Sequence, residues 1–152
     1  MSKDPVDILL VEDDPNDVEL ALIALRKNNL AINIQVARDG EEALNFLLGR
    51  GQHAGRNPAD APRLILLDLK LPKVTGKEVL QELKKNPITR PIPVAVLTSS
   101  KQLKDMRECY LFGANSYIQK PIDFEQFQRA MHDVGHYWLT VNQSLPPEAQ
   151  TP

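Results

Sequence analysis

The chain has 152 residues, 42% hydrophobic and 25% charged, so one soluble domain with a packed core is expected. A net charge of −2 argues against a general nucleic-acid or membrane-surface binder. The single cysteine, Cys109, excludes an internal disulfide. No apolar stretch approaches the ~20 residues of a membrane span and the polar N-terminus lacks a signal-peptide pattern, so a cytoplasmic protein is expected.

Val6 to Val11 is an apolar run that closes on Glu12, Asp13 and Asp14. A helix opens at Asp14-Pro15, a cap acid followed by proline at the first helical position, and runs to about Asn28. Strand two is Ile32 to Ala37, with apolar residues alternating. Helix two follows Asp39-Gly40 and carries Ala43, Leu44, Phe46, Leu47 and Leu48. Gly49 to Pro62 is rich in Gly, Pro and Asn and reads as a long mobile loop. It follows a helix and lacks Gly-Lys-Ser/Thr, so it is not a phosphate loop. Strand three, Arg63 to Leu67, ends on Asp68. Helix three spans Gly76 to Lys85 and stops before Asn86-Pro87.

Strand four is Pro93 to Leu97, closing on Thr98-Ser99-Ser100. Helix four spans about Gln102 to Phe112 and ends at Gly113. Strand five, Ser116 to Gln119, ends on Lys120-Pro121, where a cis bond is an option open to proline. Helix five starts at Asp123, with Gln126 placed for a capping box and Phe127, Met131, Val134 and Trp138 as its apolar stripe. A polar, Pro-rich tail covers 140–152. Strand and helix alternate five times, which predicts a doubly wound α/β domain with a parallel sheet.

In such sheets, ligands bind outside the carboxyl ends of the strands. Glu12, Asp13 and Asp68 would crowd there, and like charges at that range need a cation to hold them. Oxygen-only ligands point to Mg²⁺, which also accepts phosphate oxygens. Lys120 at the same edge would neutralise a phosphoryl group. The bland alternative is that acids at strand ends merely cap helices, which suits Asp14 and Asp123.

Val11-Glu12-Asp13, Leu66 to Pro72 with Asp68 at its centre, Thr98 and Lys120-Pro121, in this order and spacing, resemble the receiver domain of bacterial response regulators. The resemblance covers about 5–139. It implies a flavodoxin-like sheet in the order 2-1-3-4-5 and a phosphoryl group accepted on Asp68 from a histidine kinase. It implies Mg²⁺ on Asp13, Asp68 and the Lys70 carbonyl, with Glu12 acting through water. Thr98 and Lys120 would bind phosphoryl oxygens, and Tyr117 falls at the family's switch position. Thr75-Gly76 stands where Asp-Gly is usual, a departure expected to alter only a turn. The Gly49 to Pro62 loop and the ending His136-Tyr137-Trp138-Leu139 are similar to stand-alone regulators paired with phytochrome kinases.

On helix one, Val18, Ala21, Leu22 and Leu25 share the face expected to pack on the sheet. Leu20, Ile23 and Ala24 fall opposite, and Asn16, Leu20 and Ile23 are the expected kinase-docking residues. With only 140–152 after helix five, output is expected from the domain's own surface. A two-fold homodimer through helix four, strand five and helix five is predicted, with Arg107, Glu108, Gln119, Gln128 and Arg129 on the face and Tyr137 and Trp138 adding apolar area. The competing reading has Trp138 closing the core. A phosphorelay intermediate, fed by a histidine phosphotransfer protein, and a degenerate receiver serving only as an interaction module are the rival functions.

Overall fold

The computed structural model describes residues 5–27, 31–121 and 123–146. Its strands are β1 (Ile8–Val11), β2 (Ile34–Ala37), β3 (Leu64–Leu67), β4 (Val94–Thr98) and β5 (Ser116–Gln119). They alternate with α1 (Pro15–Arg26), α2 (Gly40–Leu48), α3 (Gly76–Lys85), α4 (Leu103–Leu111) and α5 (Phe124–His136). The sheet is parallel throughout and ordered β2-β1-β3-β4-β5, as expected. Val11 pairs with Leu67, so Glu12 and Asp68 leave the sheet side by side.

Alternation within β1 and β3 sends side chains to both faces. Leu9, Val11, Ile65 and Leu67 meet Phe46, Leu47, Val79, Leu80 and Leu83 from α2 and α3 on one side. Ile8, Leu10, Leu64 and Leu66 meet Val18, Leu25, Phe127 and Met131 from α1 and α5 on the other. Each such side chain contributes about 1.5–3 kcal/mol on burial. Both strands are covered on both faces, which is why they read as unbroken apolar runs. Among the described residues, no helix is long and apolar enough to cross a membrane.

Several local expectations need correction. Ala24 is buried, not opposite the core face, because α1 is covered by the sheet and by α5 together. A Cβ added at Gly135 of α5 would stand only 3.6 Å from Leu25 Cδ2, which shows how closely the two helices approach. α1 ends at Arg26, and Asn28, to which it was expected to run, lies outside the described residues. The capping box falls on α3, where the Thr75 hydroxyl and Glu78 carboxylate each accept from the other's backbone N–H. On α5, Asp123 caps through the Glu125 N–H instead. The Lys120–Pro121 bond is trans.

The Gly49 to Pro62 segment is stitched down rather than loose. The Arg56 guanidinium lies 3.9 Å over the Phe46 ring and donates to the Phe46 carbonyl at 2.7 Å. A short 3-10 turn, Gly51–His53, brings the His53 ring edge-on to Phe46. After α5, a π-helical turn over Tyr137–Val141 carries ordered structure past the expected end of the core at residue 139. There Trp138 and Leu139 pack against the α1–α5 side of the core, Tyr137 stays exposed, and Arg63 donates to the Leu139 carbonyl.

Candidate functional site

β1 and β3 deliver their acids to one point. Glu12, Asp13 and Asp68 each offer a carboxylate oxygen, and the three lie within 4.8 Å of one another. Glu12 and Asp68 are buried, whereas Asp13 faces solvent. Lys120, at the end of β5, enters the same space. Its Nζ donates to Glu12 Oε1 at 2.7 Å and to Asp17 Oδ2 at 2.9 Å, and lies 3.9 Å from Asp68 Oδ2.

Asp68 is also fixed from its own loop. The Leu69 N–H donates to Asp68 Oδ1 at 2.8 Å. Gly76 opens α3 against the Asp68 backbone, and its N–H donates to the Leu69 carbonyl at 3.0 Å. Lys73, in the turn between them, adopts φ 65°, a left-handed conformation that costs a non-glycine residue about 1–2 kcal/mol. Its ammonium lies 3.7 Å from Asp39.

Burial disfavours charge on both buried acids. It pushes the Glu12 carboxyl up from 4.5 to about 7, against the opposing hydrogen bond from Lys120 and reinforced by the Asp68 charge. It raises Asp68 as well, opposed by the Lys120 charge and the backbone N–H groups. Burial would lower Lys120, but its hydrogen bonds to Glu12 and Asp17 outweigh that and hold it above its usual value. The cluster is therefore a site of excess negative charge that one lysine only partly neutralises. A divalent, oxygen-seeking cation fits it.

Thr98 is fully buried at the end of β4, and the Lys120 N–H donates to its carbonyl at 2.7 Å. The Thr98 hydroxyl accepts from the Ser100 N–H at 3.1 Å. Tyr117 reaches the same segment, its hydroxyl 3.4 Å from the Ser100 carbonyl. Lys70 is exposed beside Asp68 and lines a cleft with Thr75, Lys77 and Thr98. On α1, Asn16 is exposed and uses its N–H on the capping Asp14, while Leu20 and Ile23 face solvent.

Residues 8–132 match the response regulator receiver domain. The chain belongs to that family. This receiver is 42% identical over 147 residues to the probable methanogenesis regulatory protein FilR2 of Methanothrix harundinacea (strain 6Ac), covering 96% of this chain and 92% of the relative. It resembles the crystal structure of the phosphorylated cyanobacterial phytochrome response regulator RcpA, with TM-score 0.85 and 35% identity over 91% of this chain and 97% of that one. It is equally similar to the Mn²⁺-bound form of response regulator Rcp1, with TM-score 0.84 and 35% identity over 93% and 99% of the two chains. The proteins it resembles include phytochrome regulators, as its loop and its aromatic ending suggested.

The receiver's structure also adds residues that the sequence reading missed. Asp17 stands one helical turn beyond Asp13 and takes the second bond from Lys120. Lys77 bonds Asp105 and Glu108 across two helices. The expected dimer face loses members. Glu108 is turned toward Lys77, and Gln128 accepts from Lys27 of α1 at 3.4 Å. Leu103, Met106, Tyr110 and Leu111 are exposed on α4 instead.

Proposed function

We propose that this receiver accepts a phosphoryl group on Asp68 from a phosphohistidine donor, in a Mg²⁺-dependent reaction, and signals through protein contacts. The gathering of Glu12, Asp13 and Asp68 around a point that Lys120 also reaches carries this reading. Asp68 contributes an oxygen to a new O–P bond while the donor's P–N bond breaks. The leaving imidazole nitrogen keeps the electron pair and takes a proton from solvent, and the product is an acyl phosphate.

Glu12, Asp13, Asp68 and the Lys70 carbonyl would hold the Mg²⁺. When bound, the ion offsets the charge of the acids and of phosphoryl oxygens. Glu12 already has both oxygens in use, on Lys120 and on the Asp14 N–H at 3.3 Å, which suits a role through water. Thr98 and Lys120 would bind the phosphoryl oxygens. Lys120 waits 3.9 Å from Asp68 Oδ2, so it needs only a short movement to serve.

The test is labelling by phosphoramidate followed by intact mass. Wild-type protein should gain one phosphoryl group with Mg²⁺ and none with EDTA, and Asp68→Asn none in either. Equal labelling of Asp68→Asn would refute the assignment. Likeness to RcpA supports a phytochrome-type sensor histidine kinase as donor, docking on the α1 face that carries Asn16, Leu20 and Ile23. The apolar α4 surface supports a second copy of the chain as a partner through α4, β5 and α5.

A further inference from the structure

A cleft of about 240 Å³ opens beside the acceptor loop, with Lys77, Thr98, Ser100 and Asp105 in its walls. Lys77 is the second residue of α3, next to the glycine that abuts the Asp68 backbone. Its ammonium crosses to α4 and donates to Asp105 Oδ1 at 2.6 Å and to Glu108 Oε1 at 3.0 Å. The other oxygen of Asp105, Oδ2, accepts from the Ser100 hydroxyl at 2.5 Å. Ser100 in turn donates its N–H to Thr98 Oγ1, and its carbonyl accepts from the Tyr117 hydroxyl. These bonds form one continuous chain from the wall of the acceptor loop to the threonine of the site.

The chemistry gives this chain a direction. A threonine hydroxyl has one proton to donate and lone pairs to accept with. With the Ser100 N–H fixed on Thr98 Oγ1, the hydroxyl proton is free to point elsewhere. A phosphoryl oxygen on Asp68 needs that proton. Ser100 is held for the task by Asp105, and Asp105 is held by Lys77. The interlocking charges hold Lys77 above its usual pKa, chiefly through the Asp105 hydrogen bond, and Asp105 below its own, chiefly through Lys77.

We propose that Lys77 is a positioning residue for phosphoryl transfer, acting on Thr98 through Asp105 and Ser100. This rests on the phosphoacceptor reading of Asp68. Lys77 does not touch the phosphoryl group. It fixes the segment after β4 so that Thr98 meets the transition state without first having to be ordered.

The test compares wild type with Lys77→Met, Ser100→Ala, the double variant and Lys77→Arg. The readout is the rate of phosphoramidate labelling against donor concentration with saturating Mg²⁺, beside the urea midpoint. Lys77→Met should lower the maximal rate roughly fivefold, the scale of one partly exposed charged hydrogen bond, with donor KM within about twofold of wild type. Ser100→Ala should match it, because it cuts the same chain with almost no change in bulk. The double variant should be no slower than either single change, since the chain is already broken, and Lys77→Arg should restore most of the rate. A double variant slowed by the product, about 25-fold, would mean independent effects and overturn the proposal. So would a normal rate in Ser100→Ala. If Lys77→Met lowers the urea midpoint, Ser100→Ala alone decides. A wild-type protein that fails to label would instead sink the phosphoacceptor reading itself.

Discussion

Gly76→Ala tests how tightly α3 is seated on the acceptor. A Cβ built at Gly76 would lie 2.2 Å from the Asp68 carbonyl oxygen, 2.6 Å from Leu69 Cα and 3.0 Å from the Asp68 carbonyl carbon. These are backbone atoms, so none can swing aside as a flexible side chain does. Alanine favours a helix over glycine by about 1 kcal/mol in an interior position, and by less at this first position. Overpacking against rigid neighbours costs about 1–3 kcal/mol, and a contact this short falls at the upper end. The clash wins, and the expected net loss is about 2 kcal/mol. For a chain of this length, that lowers Tm by roughly 4–8 °C. The same displacement moves Asp68, the proposed nucleophile, where a shift of about 1 Å can cost on the order of a hundredfold in rate. Thermal unfolding by circular dichroism and phosphoramidate labelling read the two effects. Gly55→Ala is the control, since a Cβ there meets nothing within 4 Å. A Gly76→Ala protein that melts at or above wild type and labels at the wild-type rate would refute the reasoning.

The remaining predictions concern charge and contact surfaces. Glu12 binds its proton more tightly when folded, at about 7, than at its ordinary 4.5, so without metal the stability it contributes at low pH is lost as pH rises between these values. Asp68, raised by burial, acts in the same direction. In EDTA the Tm should therefore be higher at about pH 5.5 than at about pH 8, and Mg²⁺ should recover more stability at the higher pH; a flat profile contradicts this. Leu20→Lys should slow transfer from the cognate kinase about tenfold or more while leaving phosphoramidate labelling unchanged, and equal loss of both would indicate misfolding. Leu111→Glu, at a side chain 75% exposed, should leave Tm within about 1–2 °C of wild type. Sedimentation of that variant should show monomer where wild type forms a dimer, and a wild-type monomer with and without a phosphoryl mimic removes the dimer from the proposed function.

The sheet was legible because β1, β3 and β4 are apolar runs that end on polar side chains, a pattern that marks both strand and site edge. Asp68, Glu12 and Asp13 could be placed together because β1 and β3 are neighbours in the expected order, whereas Lys120, at the end of β5 beyond β4, was placed only at the same edge. What escaped depends on contacts between helices. Ala24 has the spacing of a solvent residue relative to the sheet, and only the approach of α5 buries it. Lys77 and Asp105 are 28 residues apart, and no periodicity links them. Nothing in the sequence singles out Asp17, since its partner Lys120 is 103 residues away. For Trp138 the sequence left two readings open, added apolar area on a dimer face or closure of the core, and the turn that carries it packs it against the core.

Helix α4 contributes a single buried residue, Cys109, from its whole length, while Leu103, Met106, Tyr110 and Leu111 remain in water. With so little apolar burial, α4 is held largely by polar ties, the Lys77 bonds to Asp105 and Glu108 among them. Its amides should exchange with deuterium well before those of β1 and β3, whose side chains are all enclosed. The molecule thus sets fully buried strands beneath its acids beside a thinly buried helix one strand away. If the added charge on Asp68 reaches this helix, labelled protein should exchange its α4 amides at a different rate from unlabelled protein, and identical rates would show that α4 does not respond.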